Sequence, residues 1–228
     1  MMFFSQGEPM ELYQKDHIQL FSRKPLSSNN AAKLMDLFCQ PNQKQSVGLA
    51  GRVQIKKTKL DHLGPVILKH YYRGGLLRLI NKKKFLKGRR YRSQREFECL
   101  IKARKEDIPV PEPLAYMVKG GILYETALVM LEIPNTRTLT KVNPLESQKT
   151  SIMQCLNTHF DKMVKCGIYH VDFHPGNVLI DQDQKLFIVD FDKASDWNGP
   201  MLKLRNRMKT RWNRAINKYC LDSWLILS

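Results

Sequence analysis

The stretch Tyr169-His170-Val171-Asp172-Phe173-His174-Pro175-Gly176-Asn177, followed by β-prone runs at Asn177 to Asp181 and Lys185 to Asp190, constrains this chain more than any other part of it. Two such runs separated only by Gln182-Asp183-Gln184 read as a hairpin. With its turn centred near Asp183-Gln184, Asn177 and Asp190 pair across the ladder, and directly paired positions hold their Cβ atoms ~4.5–5.5 Å apart. Two oxygen-bearing side chains that close can share one cation. Mg²⁺ suits such a pair, because it takes one or two protein oxygens and completes its shell with water and phosphate. Asp172 precedes the first strand on a loop that Pro175 and Gly176 bend back, bringing a second carboxylate to the same opening, where it can orient a hydroxyl and accept its proton. His170, Asp172 and His174 at a period of two also fit the metal cluster of a hydrolase, a reading that Asn177 and Asp190 at hairpin-matched positions, with Lys69 upstream, disfavour.

Upstream, the pattern is that of a small β-rich lobe. Val53 and Ile55 alternate with polar residues, Gly64-Pro65 marks a turn, and Val66 to Tyr72 is a β-prone run in which Lys69 stands among apolar neighbours. A lysine there can also serve as an edge-strand gatekeeper. Ser93 to Lys105 has helical spacing, with Phe97, Leu100, Ile101 and Arg104 on one stripe, and the Pro-rich run from Asp107 to Pro113 stops it. Ala127 to Ile133 reads as a strand ended by Pro134. Residues 1–45 show only a short helical pattern, Ala31 to Phe38, closed by Pro41. Beyond Pro134 the period becomes 3.6, with Ile152, Leu156, Phe160, Met163 and Val164 on one stripe and Gly167 as its stop. The expected organisation is α+β: a β-rich lobe over residues 1–133, whose first 45 residues are a leader without assigned role, and a mainly helical lobe over residues 134–228.

With 228 residues and 43% apolar side chains, the chain can bury a substantial core. Its 38 Lys+Arg against 21 Asp+Glu give a formal net charge of +17, which requires an anionic partner. The charge is local. From Lys69 to Arg92 there is no acidic residue, and Lys82, Lys83, Lys84, Lys87, Arg89, Arg90 and Arg92 crowd its end. Lys203, Arg205, Arg207, Lys209, Arg211, Arg214 and Lys218 interleave with Leu202, Leu204, Met208, Trp212 and Ile216 as a basic amphipathic helix. Nucleic-acid phosphate, an anionic leaflet, and a phosphorylated or carboxylated small substrate all fit such surfaces. The basic stretches lack a nucleic-acid reading motif, so no nucleic acid is expected. The five scattered cysteines form no C-x-x-C pair and read as reduced thiols of a cytosolic protein. Met1-Met2-Phe3-Phe4 runs into polar residues rather than a signal-peptide core, and no run approaches the ~20 apolar residues of a spanning helix.

H-x-D-x-x-x-x-N followed by D-F-x, with Lys69 and Glu96 upstream, resembles the catalytic and metal-binding loops of the protein-kinase-like fold over about residues 46 to 215. Val66 to Leu76, Arg95-Glu96-Phe97, Ile108 to Pro113 and Asp190 to Ala194 are similar, more narrowly, to the 3-deoxy-D-manno-octulosonic acid (Kdo) kinases of the lipopolysaccharide core kinase family. The resemblance implies a two-lobed fold with a truncated C-terminal lobe, and ATP- and Mg²⁺-dependent transfer of a phosphoryl group to a Kdo hydroxyl on a lipid A precursor. It also implies peripheral attachment to the anionic cytoplasmic face of the inner membrane, and no obligate protein partner. Both basic clusters would serve that attachment.

Residue by residue, the same resemblance implies that Lys69, held by Glu96 with Glu98 as the competing partner, grips the nucleotide phosphates. Gly48 and Gly51 cover them, and backbone from Leu131 to Ile133 receives the adenine. Asp172 directs the acceptor hydroxyl, and Asn177 and Asp190 hold Mg²⁺. Asp192, where protein kinases carry glycine, is a candidate for a second metal or cation. The resemblance also gives Arg73, Gly74 and Gly75 to the acceptor side, whereas the residues themselves read His170 as shaping the loop through backbone hydrogen bonding and His174 as facing solvent. The few residues after Asp192 leave no room for the activation segment and helices on which protein kinases lay a peptide, which favours a small or lipid-linked acceptor. Another small-molecule or sugar kinase of the same fold, a non-catalytic kinase-like scaffold and a basic nucleic-acid-binding protein stand as alternatives.

Overall fold

The computed structural model describes residues 2–3, 9–41, 53–72 and 84–227. Gly48, Gly51, Arg73, Gly74 and Gly75 lie outside the described residues. The chain divides into two compact units, one formed by residues 1–97 and 112–132, the other by residues 98–111 and 133–228.

The first unit is built on one antiparallel sheet. Its strands are β1 (Met2–Phe3), β2 (Pro9–Lys15), β3 (Ile18–Ser22), β4 (Val53–Leu60), β5 (Gly64–Tyr71), β6 (Phe85–Leu86), β7 (Pro113–Gly120) and β8 (Leu123–Leu131). They run in the order β1-β2-β3-β7-β8-β5-β4, with β6 pairing β8 beside this path. Helix α1 (Ser28–Cys39) is capped by Ser27, whose side chain accepts from the Asn30 N–H. Its Ala31, Leu34, Met35 and Phe38 pack into a core with Leu20 of β3, Val66 and Leu68 of β5, and Ala127 and Val129 of β8. β5 has partners on both sides, β4 and β8. Lys69 is therefore an interior-strand residue rather than an edge gatekeeper. Helix α2 (Arg92–Lys105) begins in this unit, where Phe97 sets its ring edge-on to Tyr116 at 5.6 Å.

The second unit packs two helices about a set of short strands. Helix α3 (Glu146–Lys165) buries Ile152, Leu156, Phe160, Met163 and Val164, the stripe its periodicity predicts. The helix is followed by Gly167 at φ +67°, a conformation that favours glycine, and a Cβ there would also stand a tight 3.2 Å from the Trp197 carbonyl oxygen. β9 (Arg137–Thr138), β11 (Val178–Ile180) and β12 (Leu186–Ile188) form a sheet in the order β12-β11-β9, and β10 (Ile168–Tyr169) pairs β13 (Ser195–Asp196). Helix α4 (Met201–Lys218) buries Leu204, Met208, Trp212, Ala215 and Ile216. Leu202, expected on that stripe, is instead 69% exposed, because two residues carry it about 200° round the helix from the buried Leu204 of the same turn.

Candidate active site

The loop between β10 and β11 and the hairpin after it hold most of the expected site residues of the second unit. His170 is buried, and its Nε2 donates to the Val189 carbonyl at 3.0 Å. Burial drives its pKa down to about 4, against the smaller opposing pull of the Val189 carbonyl and the Asp190 and Asp172 carboxylates. The ring is therefore neutral at physiological pH and ties the loop to the strand that leads into Asp190. His174 does not simply face solvent. It is half-buried, and its Nδ1 accepts the Gly176 N–H at 3.1 Å, capping the short turn Pro175–Asn177. These commitments leave the His170-Asp172-His174 triplet poorly arranged as a metal cluster.

The hairpin forms with a register one residue from the expected one. Val178 pairs Ile188 and Ile180 pairs Leu186, so Asn177 faces Val189, whose N–H donates to the Asn177 carbonyl at 2.9 Å. Asp190 is the next residue along. The cause is the turn: Asp181 Oδ1 accepts the N–H groups of both Asp183 and Lys185 at 2.9 Å, which centres the turn on Asp183. Asp190 then leaves the ladder at φ +64°, a conformation that Asp tolerates better than most residues and that recurs at functional sites.

Asp172 is joined to this hairpin through its backbone, since Asn177 Nδ2 donates to the Asp172 carbonyl at 2.9 Å. Its carboxylate faces two cations that sequence reasoning did not single out. Lys193 Nζ donates to Oδ2 at 2.6 Å, and Arg211 of α4 lies 3.5 Å from Oδ1. Burial works against ionisation of Asp172, yet the Lys193 hydrogen bond and the Lys193 and Arg211 charges together outweigh it and hold the carboxyl below its ordinary range. Lys193 follows the Asp190-Phe191-Asp192 motif directly and Arg211 sits in the basic helix. Their positions were visible in sequence, their convergence was not. Phe191 packs on His170 with centroids 4.6 Å apart, and Asp192, half-buried, follows it.

In the first unit, Lys69 is buried on β5 and Nζ donates to Glu96 Oε1 at 2.8 Å and Oε2 at 3.0 Å. Glu96, itself buried on α2, also accepts from the Tyr71 hydroxyl. The partner of Lys69 is thus Glu96. A buried pair with this bidentate geometry and a third hydrogen bond fixes the ammonium on the sheet rather than leaving it on a free stem. At the end of β8, Leu131 and Glu132 give their N–H groups to the Glu112 and Pro65 carbonyls. The Ile133 N–H makes no such backbone bond among the described residues.

The donor set fits Mg²⁺. Asn177 spends its amide nitrogen on the Asp172 carbonyl, which leaves Oδ1 as its free donor. Asp190 follows Asn177's ladder neighbour Val189, so the two are no longer cross-strand partners, and it is the left-handed turn at Asp190, φ +64°, that takes its carboxylate out of the ladder's alternation. Both are hard oxygen donors, and two are enough for an ion that keeps water and phosphate in its shell.

A sheet-rich unit with a buried lysine–glutamate pair and a unit carrying this loop and hairpin define a protein of the protein-kinase-like class. The Rio2 kinase from Chaetomium thermophilum, solved as an ADP/Mg²⁺-phosphoaspartate complex, superposes with a TM-score of 0.52 at 15% identity, over 85% of this chain and 61% of that one. The chain belongs to the Lipopolysaccharide kinase (Kdo/WaaP) family, which matches residues 43–212. It is similar to the 3-deoxy-D-manno-octulosonic acid kinase of Vibrio parahaemolyticus, 30% identical over 190 residues that make up 79% of each chain. It is also similar to that of Vibrio cholerae, 30% identical over 205 residues, 84% of this chain and 85% of the other.

Proposed function

We propose that this protein is an ATP-dependent, Mg²⁺-assisted kinase that transfers the γ-phosphoryl group to a hydroxyl of a Kdo residue on a lipid A precursor. Membership of the Kdo/WaaP family supports the acceptor. The observation that carries the chemistry is the linkage of Asp172, Asn177 and Asp190 through one hairpin and one side-chain hydrogen bond. Phosphoryl transfer depends chiefly on positioning and charge neutralisation. Lys69, held by Glu96, contacts the nucleotide phosphates, and the Ile133 N–H is available to the adenine. Asp172 accepts a hydrogen bond from the acceptor hydroxyl and takes up its proton as the bond to phosphorus forms. Asn177 and Asp190 are the residues that hold Mg²⁺, which when bound neutralises charge on the phosphates. Asp192 is the candidate for a second cation, and Arg73, Gly74 and Gly75 remain assigned to the acceptor side.

The acceptor is lipid-linked and acidic, so the enzyme works at the anionic cytoplasmic face of the inner membrane, attached peripherally. The exposed Lys84, Lys87, Arg89 and Arg90 support that placement. No helix among the described residues is long and apolar enough to cross a membrane.

Radiolabelled ATP with a Kdo-bearing lipid acceptor tests this reading. Asp172→Ala and Asp190→Ala should each lower transfer by about 10²–10⁴-fold, the range expected for loss of a positioned proton acceptor or an equally central electrostatic group. Wild-type transfer by both variants would overturn the site, and mass spectrometry of the product identifies the hydroxyl.

A further inference from the structure

Asp172 opens on a groove of about 770 Å³ whose far wall is helix α4. Tyr169, Val171 and Asp172 form one side, Pro200 and Leu202 one end, and Lys203, Arg207, Thr210, Arg211 and Arg214 the helix wall. The whole groove lies within the second unit. The helix is two-faced. Leu204, Met208, Trp212, Ala215 and Ile216 point to the core, while Lys203, Arg207, Arg211 and Arg214 recur every three or four residues on the groove face. At 1.5 Å per residue, Lys203 to Arg214 spans about 16 Å, a length that takes a saccharide rather than a single anion.

The charges on this face differ from others on the same helix. Arg205, which points elsewhere, is paired with Asp161 at 2.6 Å. Lys203, Arg207 and Arg214 have no carboxylate partner among the described residues, and the one acid lining the groove is Asp172. Arg207 is also held in place: its guanidinium lies 5.1 Å over the Trp197 ring, which packs edge-on against Tyr169 at 5.5 Å and donates from Nε1 to the Pro200 carbonyl. A stacked guanidinium keeps its edge donors for a planar anion and loses little freedom on binding one.

We propose that this groove is the acceptor site, and that Arg207 and Arg214 bind the carboxylate of an acidic sugar while its hydroxyl lies at Asp172. The proposal rests on the kinase reading above. It assigns one face of α4 to substrate specificity and withdraws that face from general attraction to the bilayer. Tyr169 offers an aromatic surface for a sugar ring, and Arg211, already in contact with Asp172, couples the bound anion to the reacting carboxylate.

The test uses the full chain with Kdo-bearing lipid A precursor dispersed in neutral detergent, so that no anionic bilayer is present. The Arg207→Gln/Arg214→Gln double variant should raise the acceptor KM at least about tenfold, the scale of a charge-assisted hydrogen bond, with kcat and the ATP KM within about twofold. Lys165→Gln, which removes one exposed charge at the end of α3, should change neither constant. Methyl esterification of the Kdo carboxylate should weaken the acceptor for the unsubstituted enzyme and abolish the difference between it and the double variant. An unchanged acceptor KM in a double variant that melts at the parental temperature would overturn the groove assignment while leaving the kinase reading intact. An ester accepted as well as the free acid would overturn the carboxylate assignment. Absence of transfer by the unsubstituted enzyme would remove both readings.

Discussion

At the scale of single residues, the feature that departs most from what the motif alone suggests is the pair of cations on Asp172. A proton acceptor whose carboxyl is held below its ordinary range stays ionised at lower pH but is a weaker base. Lys193 supplies the larger part of that effect, through a direct hydrogen bond as well as charge. Replacing it by methionine removes both, so the Asp172 pKa rises and the acid limb of the pH dependence of kcat/KM moves to higher pH. Lys193→Arg, which keeps the charge, should leave the limb near its original position. A limb that stays in place in Lys193→Met would show that Asp172 is not the group being titrated. Much at this scale was legible. The Lys69–Glu96 pair, reached through the family resemblance, is formed, and the spacing of Asp172 and Asn177 does bring them together on one loop. What could not be read was register. One extra turn hydrogen bond at Asp181 moves Asn177 opposite Val189, and no periodicity rule sees a one-residue shift in a three-residue strand.

At the scale of elements, the helices were legible and several strands were not, for a common reason. α2, α3 and α4 each present a long apolar stripe at the helical period, and α1 a short one. β7 begins at Pro113, the last residue of a Pro-rich stretch, and its Leu114 to Val118 are all buried. A short continuous apolar run bounded by proline carries no alternation to mark it as a strand. β2 is concealed in the opposite way, with Met10 as its one fully buried side chain. The C-terminal tail was equally silent, yet it closes the second unit. Trp212 is fully buried, packs tilted against Phe173 of the loop that carries Asp172 with ring centroids 4.7 Å apart, and donates to the Leu225 carbonyl at 2.7 Å. Asn213 makes a reciprocal pair of bonds with the Leu227 backbone. Trp212→Ala should cost about 3–5 kcal/mol, the range for removing a large buried aromatic. Asn213→Ala should cost about 1–3 kcal/mol through the backbone groups it leaves unpaired. Denaturant melts of the two variants measure this directly, and equal midpoints for Asn213→Ala and the parent would show that the tail is not held by that residue.

At the scale of the whole molecule, the net charge of +17 has to be set against where apolar surface is exposed. In the first unit, Leu86 of β6 pairs directly with Leu123 at the start of β8. Leu86, Leu123 and the neighbouring Ile122 are 65%, 50% and 77% exposed; Lys84 and Lys87 flank β6 in the chain, with the Lys87 N–H bonded to the Ile122 carbonyl, and the exposed Arg89 and Arg90 follow in sequence. Beneath, Tyr124 packs against Phe85 and Tyr91 and fixes the tip. An apolar tip edged with basic residues matches a bilayer with an anionic surface, where each cation contributes about 1 kcal/mol. Inserting the three aliphatic side chains adds about 1–2 kcal/mol each, given that they are partly covered already. The two contributions are of similar size but respond differently to salt, since at 1 M the screening length falls to about 3 Å while apolar transfer persists. Reversing Lys84, Lys87, Arg89 and Arg90 to glutamate should therefore abolish co-sedimentation with anionic vesicles at low salt. The triple variant Leu86→Ser/Ile122→Ser/Leu123→Ser should still bind at low salt but be released fully at 1 M, where the parent retains part of its binding. If the serine variant and the parent dissociate along the same salt curve, the tip does not enter the bilayer and the attachment is electrostatic alone.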